Sequence, residues 1–303
     1  MSNITNNVGK KEFNAVKEKR KERSDLVIKK QAVSFLIFTD SIRQAKTGKN
    51  RSIDGLKHYW VISLELTPSV RTCPYAFAKK LECTNNGFGC LNTSGHGMVP
   101  NVKNKRNWRT DQVLDNWSMA LDMIKADLAV AHAVASARGD TLAVRLDTFS
   151  SLHLWNRDEF YNEVIKPYQD KGVIFYDYIK APLARIKEGI NRGIDLTVSF
   201  TEYTTPKKLG EYLEIARVAV VFDGEIPDYW NGHKVINGDN HDLRFTEPSG
   251  SIIGLTSKII AKGRKHADHS KGFVQIGATK IQRQSSSALI PAMAPSVDAV
   301  LYV

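Results

Sequence analysis

Cys73, Cys83 and Cys90 are the three thiols of this chain, and all fall in one segment running from Cys73 to Arg109. Gly87, Gly89, Gly95, Gly97 and His96 are interleaved with them. Soft sulfur ligands gathered on one loop suit zinc or an iron–sulfur cluster. The spacing Cys73-x9-Cys83-x6-Cys90 is looser than the closely paired ligands of a zinc finger or ribbon. Three thiolates without a clear fourth suit a cluster with one open iron. Zinc completed by His96 is the alternative, and a glycine-rich loop of free cysteines is a third reading. An odd number of cysteines fits a disulfide framework poorly.

In a parallel α/β sheet, functional side chains collect where strands end and the following loops begin. Applied strand by strand, that rule selects Asp147, Asp177, Lys180 and Glu202 as candidate catalytic groups. Arg145, Ser150, Tyr176 and Ser199 occupy the same strand ends and are candidates to hold a cofactor. A later turn, Gly238-Asp239-Asn240-His241-Asp242 followed by Arg244, adds more charge. If these loops converge, the cysteines, carboxylates, Lys180 and Arg145 share one mouth. The alternative is that each carboxylate caps a helix or pairs with a nearby surface cation. His58 and His153 are lone histidines, and His266-Ala-Asp268-His269 reads as surface polarity more readily than as a metal site.

The elements that must position these residues follow from hydrophobic periodicity. His58 to Thr67 reads as a buried strand leading into the cysteine loop, residues 70–108. Thr110 is placed to cap a helix from Asp111 to Ala137, ended by Gly139. Strands at Leu142 to Leu146, Val173 to Tyr178, Leu196 to Phe200 and Val218 to Phe222 then alternate with helices. Those helices are expected at Asp158 to Tyr168, Ala181 to Asn191 and Pro206 to Ala216. Short apolar strands without strict polar alternation require a parallel sheet covered by helices. The expected fold is therefore α/β, a parallel (β/α) barrel or partial barrel, with an open doubly wound sheet second. A basic extension, 1–55, precedes the core, 56–222. A region of short strands, 223–303, follows, with strands expected at Val235, Leu243 to Phe245 and Ile252 to Leu255 and an irregular arm from Gln282 to Pro295.

The chain carries a net charge of +11 over 303 residues. Residues 1–51 hold thirteen Lys/Arg against five Asp/Glu. A second basic group, Lys103, Lys105, Arg106 and Arg109, surrounds Trp108. Such patches neutralise phosphate backbones, and an aromatic among them offers a stacking platform for single-stranded bases. A solubilising basic face is the plainer reading. No run of eighteen apolar residues spans a membrane, and no signal-peptide core opens the chain, so a cytoplasmic location with reduced thiols is expected. Phosphate-binding loop, nucleophile elbow and HExxH motifs do not occur.

Several ordered blocks resemble the gene product 88-like proteins of phages and plasmids. They are Cys90-Leu-Asn-Thr-Ser-Gly-His-Gly, Val102 to Thr110, Val144-Arg-Leu-Asp-Thr-Phe-Ser-Ser, Phe175-Tyr-Asp-Tyr-Ile-Lys180 and Leu196-Thr-Val-Ser-Phe-Thr-Glu202. Val218-Ala-Val-Val-Phe, Ile236-Asn-Gly-Asp239, Asp242-Leu-Arg-Phe and Lys271-Gly-Phe-Val274 continue the resemblance, which covers roughly 60 to 276. That family looks like a distant relative of radical S-adenosylmethionine barrels. The resemblance implies an iron–sulfur cluster on the three cysteines and S-adenosylmethionine beside it. This chain departs from the compact Cys-x3-Cys-x2-Cys of those barrels. Two functions follow. One is a metalloenzyme acting on a nucleotide or nucleic acid, and the other a non-enzymatic single-stranded DNA- or RNA-binding protein that recruits phage transcription or replication machinery.

Overall fold

The structure is a computed structural model that describes residues 35–38, 50–77, 99–257, 259–261, 264–265 and 274–276. Its strands are β1 (Leu36–Phe38), β2 (Tyr59–Leu64), β3 (Thr141–Arg145), β4 (Ile174–Ile179), β5 (Asp195–Ser199) and β6 (Arg217–Asp223). They continue with β7 (Tyr229–Trp230), β8 (His233–Asn237), β9 (Ile252–Thr256), β10 (Ile259–Ala261), β11 (Arg264–Lys265) and β12 (Val274–Ile276). The main sheet runs β1-β2-β3-β4-β5-β6-β9-β8-β7, with β12 added to β6, and β10 and β11 form a separate pair. Pairings from β2 through β6 to β9 and β8 are parallel, while β1 and β7 pair antiparallel at the edges.

The α/β class and largely parallel sheet agree with the sequence, and barrel closure does not. Among the described residues the sheet is open, because β1 and β7 end its path without pairing to each other. Antiparallel strands at both ends explain this: neither edge offers a parallel strand in register to continue the β2-to-β6 progression. The open alternative also differs from a doubly wound sheet. Consecutive strands that lie side by side, joined by crossovers of one hand, place all their helices on one face.

The core confirms that one-sided arrangement. Leu142 and Val144, Phe175 and Ile179, Leu196 and Val198, and Val218 and Val220 share a cluster with Leu121, Ile124, Leu128, Ile186 and Leu209 from the helices. The alternate residues Val61, Ala143 and Tyr176 face the other way and pack with Leu243, Tyr59, Ile174 and Phe245. A strand presents successive side chains to opposite faces, so both faces are buried, one by helices and one by the 243–245 segment.

The helices are α1 (Pro74–Phe77), α2 (Pro100–Asp115), α3 (Trp117–Arg138), a composite α4, α5 (Leu183–Asn191) and α6 (Pro206–Leu213). The long helix expected from Asp111 begins instead at Pro100, whose ring suits the first helical turn. It breaks at Asn116 before α3. Thr110 is consequently mid-helix, donating to the Arg106 carbonyl at 2.8 Å rather than capping. Gly139 ends α3 as expected, at φ 70°, with its amide donating to the Ala135 and Ser136 carbonyls. The composite α4 joins Asp158–Phe160, a π turn at Tyr161–Ile165 and Lys166–Gln169. Pro167 has no N–H for the helical ladder, which accounts for the wider turn before it.

Leu243 to Phe245, expected as a strand, is part of a covering segment that forms a 3-10 turn at Arg244–Thr246. The segment bonds to itself: the Leu243 amide donates to His241 Nδ1, and the Thr246 hydroxyl donates to the Leu243 carbonyl. Leu36, inside the expected basic extension, is tied into the core: its amide donates to the buried Asp127 carboxylate at 3.0 Å. No described helix is long and apolar enough to cross a membrane. The remainder of 1–49 and the expected arm from Gln282 to Pro295 lie outside the described residues.

α5 packs on β5 through Gly189. A Cβ there would lie 2.7 Å from Leu196 Cδ1 and about 3 Å from the ring of fully buried Trp155. Gly189→Ala should therefore destabilise the fold by about 1–3 kcal/mol through overpacking. An unchanged denaturant midpoint would show that the helix is free to shift.

Candidate functional site

The carboxyl ends of β2, β3 and β4 lie side by side because the three strands are consecutive parallel neighbours. Cys73 follows β2 in a turn that Thr72 stabilises by donating to the Thr67 carbonyl at 2.6 Å and receiving the Ser69 amide at 2.8 Å. The Ser151 amide donates to the Thr72 carbonyl at 3.0 Å, fastening this turn to the loop after β3. Cys73 is buried there, and burial pushes its thiol up to about 11, with the Asp147 charge acting in the same direction. Cys83 and Cys90 lie outside the described residues, as does His96. Among the described residues no group of three or more His, Cys, Asp or Glu is placed to hold a metal ion.

Asp147 organises the loop after β3. It accepts Ser150 Oγ at 2.5 Å and the His153 amide at 2.6 Å, one on each carboxylate oxygen. Burial raises its carboxyl, while the bonds from Ser150, His153 and the Leu152 amide oppose that rise. Asp177 has poorer support. It accepts its neighbour Tyr178's amide at 2.8 Å, and its Oδ2 has no hydrogen-bond partner among the described residues. Burial first, then the Asp147 charge, push the Asp177 carboxyl well above the usual carboxylate range. Burial biases both carboxyls toward their protonated forms, and Asp177, with fewer donors and the Asp147 charge nearby, is biased the more strongly.

His153 belongs to the same group, although a lone histidine carries no signal in the sequence. Its backbone is left-handed at φ 55°, which closes the turn onto Asp147. Its ring stacks between Tyr75 and Trp155, with centroids at 5.8 and 5.4 Å. Burial, helped by the Arg185 charge, lowers its pKa to about 3, so the imidazole is neutral.

On the opposite face of the sheet, Arg145 donates to Asp242 at 2.6 Å and lies 4.7 Å from the Tyr178 ring centroid. The Tyr176 hydroxyl approaches the same Asp242 oxygen at 3.5 Å. Burial disfavours the guanidinium charge, but Asp242 and the two tyrosines outweigh it and raise the Arg145 pKa. Arg244 extends the network, donating to Glu247 at 2.8 and 3.0 Å, to the Gly238 carbonyl at 3.0 Å and to the His241 carbonyl. Burial raises Glu247 to about 7 against the pull of Arg244 and Arg217. At the far end of the segment, Arg217 donates to the Glu247 carbonyl at 2.6 Å and to Asp195 at 2.8 Å.

Of the residues selected from sequence, the structure thus gathers Cys73, Asp147, Ser150 and Asp177 at the strand ends on one face of the sheet, and Arg145 with Tyr176 on the other. Lys180, Ser199 and Glu202 lie half-buried at or beyond the ends of β4 and β5. The basic group is divided. Lys103 and Lys105 are exposed, Arg106 and Arg109 are buried, and Trp108 packs against Phe35 at 5.4 Å between ring centroids. Arg106 and Arg109 lie three positions apart on one face of helix α2, while Lys103, in the first turn, and Lys105 remain exposed. Strand-end reasoning from the sequence passes over Glu65 and Tyr178. Both continue the inward alternation of their strands, which is the available signal.

Asp242→Asn removes the charge that compensates buried Arg145 and should cost about 3–5 kcal/mol in chemical denaturation. A loss under about 1 kcal/mol would show the pair to be solvated. For Asp177, the raised folded-state pKa sets the sign of the pH dependence. The stability its proton contributes is complete below the unfolded value of about 4 and is lost as pH rises through the folded value. Asp177→Asn removes that loss, so the variant should gain on the wild type as pH is raised from about 4 to about 8. A difference that stays constant over that window would mean Asp177 ionises normally.

A family model described as Gene product 88 matches residues 36–275. No curated protein and no solved structure matches the chain.

Proposed function

The chain belongs to the gene product 88 family, and for it we propose a metalloprotein function centred on the carboxyl ends of the parallel strands. Cys73, Cys83 and Cys90 would hold an iron–sulfur cluster, and the substrate would be a nucleotide or nucleic acid. The observation that carries this reading is the place of Cys73. It is buried at the end of β2, fastened to the loop that carries Asp147, on the segment that contains both other thiols. A buried neutral thiol is inert as a nucleophile, whereas a soft metal displaces its proton. Cluster binding therefore gives this cysteine a use that its surroundings otherwise deny it. When bound, a cluster with an open iron supplies electron transfer and a coordination position.

The protein's own groups supply the rest. Asp147, fixed by Ser150 and the His153 amide, is a preorganised acceptor. Burial biases Asp177 toward its protonated form, so it would supply a proton there, and Arg145 on the adjacent strand favours the carboxylate left behind. Arg145, Ser150 and Tyr176 already make hydrogen bonds inside the protein, so S-adenosylmethionine beside the cluster would share them with those partners.

Anaerobically purified or reconstituted protein should contain about four irons with matching sulfide. Cys73→Ala, Cys83→Ala and Cys90→Ala should each abolish iron retention. Iron-free wild type after reconstitution would remove the cluster, and iron retained by all three variants would move it elsewhere.

A second reading, single-stranded nucleic-acid binding without catalysis, is favoured by the exposure of Lys103 and Lys105 on the outer side of α2. If they neutralise phosphates, Lys103→Glu with Lys105→Glu should lower the salt slope of binding by roughly 0.7 for each phosphate left unneutralised. An unchanged slope would exclude them.

A further inference from the structure

The three arginines near the ends of β2 and β3 turn inward, where a surface phosphate patch would point out. Arg106 and Arg109 are one turn apart on α2, with 0 % and 5 % exposure. Helix α2 is pinned across the end of β2. Thr67 donates its amide to Thr110 Oγ1 at 2.7 Å and its hydroxyl to Asn107 Oδ1 at 2.6 Å. That attachment delivers both guanidiniums to the rim. Arg106 reaches the loop after β3, lying 4.3 Å from the Phe149 ring centroid.

Arg145 arrives from the neighbouring strand. Its register partner is Ser63, and Glu65 continues the same face of the chain two residues later. Glu65 feels the charges of Arg109, Arg106 and Arg145, and Arg106 in turn opposes the charge on Arg109. Arg145 is already paired with Asp242, and its Nε has no hydrogen-bond partner among the described residues. Guanidiniums are gathered in this way, despite their repulsion, where an oxyanion such as a phosphate is to be gripped by several N–H groups at once.

We propose that Arg106, Arg109 and Arg145 form an oxyanion site whose ligand is the terminal phosphate of a small molecule, such as a nucleoside monophosphate. This inference rests on the rim of the strands being the functional site and names its substrate class. A terminal phosphate fits better than a polymer backbone, because Arg106 is fully buried and a diester would have to bring sugars on both sides with it. The Arg145 side chain is 12 % exposed, and a phosphate would approach from that side. Glu65 is the internal counter-charge, so a bound anion competes with it for the guanidiniums.

The test is binding by the full-length protein, followed by calorimetry and thermal shift at constant ionic strength. The probes are inorganic phosphate, a nucleoside 5′-monophosphate, the parent nucleoside and a single-stranded oligonucleotide lacking terminal phosphates. Phosphate and the monophosphate should bind saturably and raise Tm, while the nucleoside and matched chloride should not. Glu65→Gln removes the competing carboxylate and should tighten phosphate binding several-fold. Arg145→Lys keeps the charge, loses the fork and should weaken binding about tenfold.

A Tm response no larger than that to chloride overturns the site, as does binding unchanged in both variants. Preference for the oligonucleotide overturns the terminal-phosphate assignment. Iron is measured on the same preparation. Iron without phosphate binding removes this site and leaves the cysteine reading intact, and phosphate binding without iron does the reverse.

Discussion

The ion pair between Arg145 and Asp242 joins residues 97 apart in sequence across a face of the sheet that no described helix covers. Consecutive parallel strands place their crossover helices on one side, leaving the other with apolar and charged side chains to bury. The stretch from Gly238 to Glu247 solves that problem. Leu243 and Phe245 cover Val61, Ala143 and Tyr176, and Asp242 neutralises the strand arginine beneath them. At the other end, Arg217 grips the Glu247 carbonyl. Removing Asp242 would leave a guanidinium buried without its charge partner, so the cover and the strand ends form one unit.

Burial sets the chemistry of that unit as well as its stability. Water is largely excluded from Cys73, Asp147, His153 and Asp177, so each takes the charge state that its few partners permit. Cys73 and His153 are neutral, Asp147 has three donors, and Asp177 has one. Along the same rim, burial raises Glu65 against the charges of Arg109, Arg106 and Arg145. A buried thiol, two buried carboxyls and a glutamate that feels three arginine charges therefore lie near the ends of three adjacent strands. Nothing in the apolar core requires this concentration of polar groups, which is the general reason to place function there.

Much of this is legible in the sequence. Apolar runs such as Val218 to Phe222 mark the strands, Gly139 marks the end of α3, and the strand-end rule selects Arg145, Asp147 and Asp177. Closure of the sheet is not legible, because periodicity reports which faces are buried and says nothing about whether edge strands meet. Thr110 reads as a cap because a threonine before an apolar repeat has the same local pattern, while its hydroxyl in fact serves Thr67, forty-three residues away. His153 is invisible for a similar reason. Its significance comes from Tyr75, Trp155 and a left-handed turn, none of which leaves a spacing signal. The inward face of Arg106 and Arg109 follows from helical periodicity only when the helix starts at Pro100 rather than at Asp111.

The central claim is that the segment after β2 brings its thiols to iron at the strand ends. Anomalous X-ray scattering at the iron edge, from crystals of anaerobically prepared protein, addresses it most directly. The account predicts iron within bonding distance of Cys73, Cys83 and Cys90, beside the loop that carries Asp147. Iron absent from that rim, with Cys73 a free thiol in protein reconstituted before crystallisation, would contradict it.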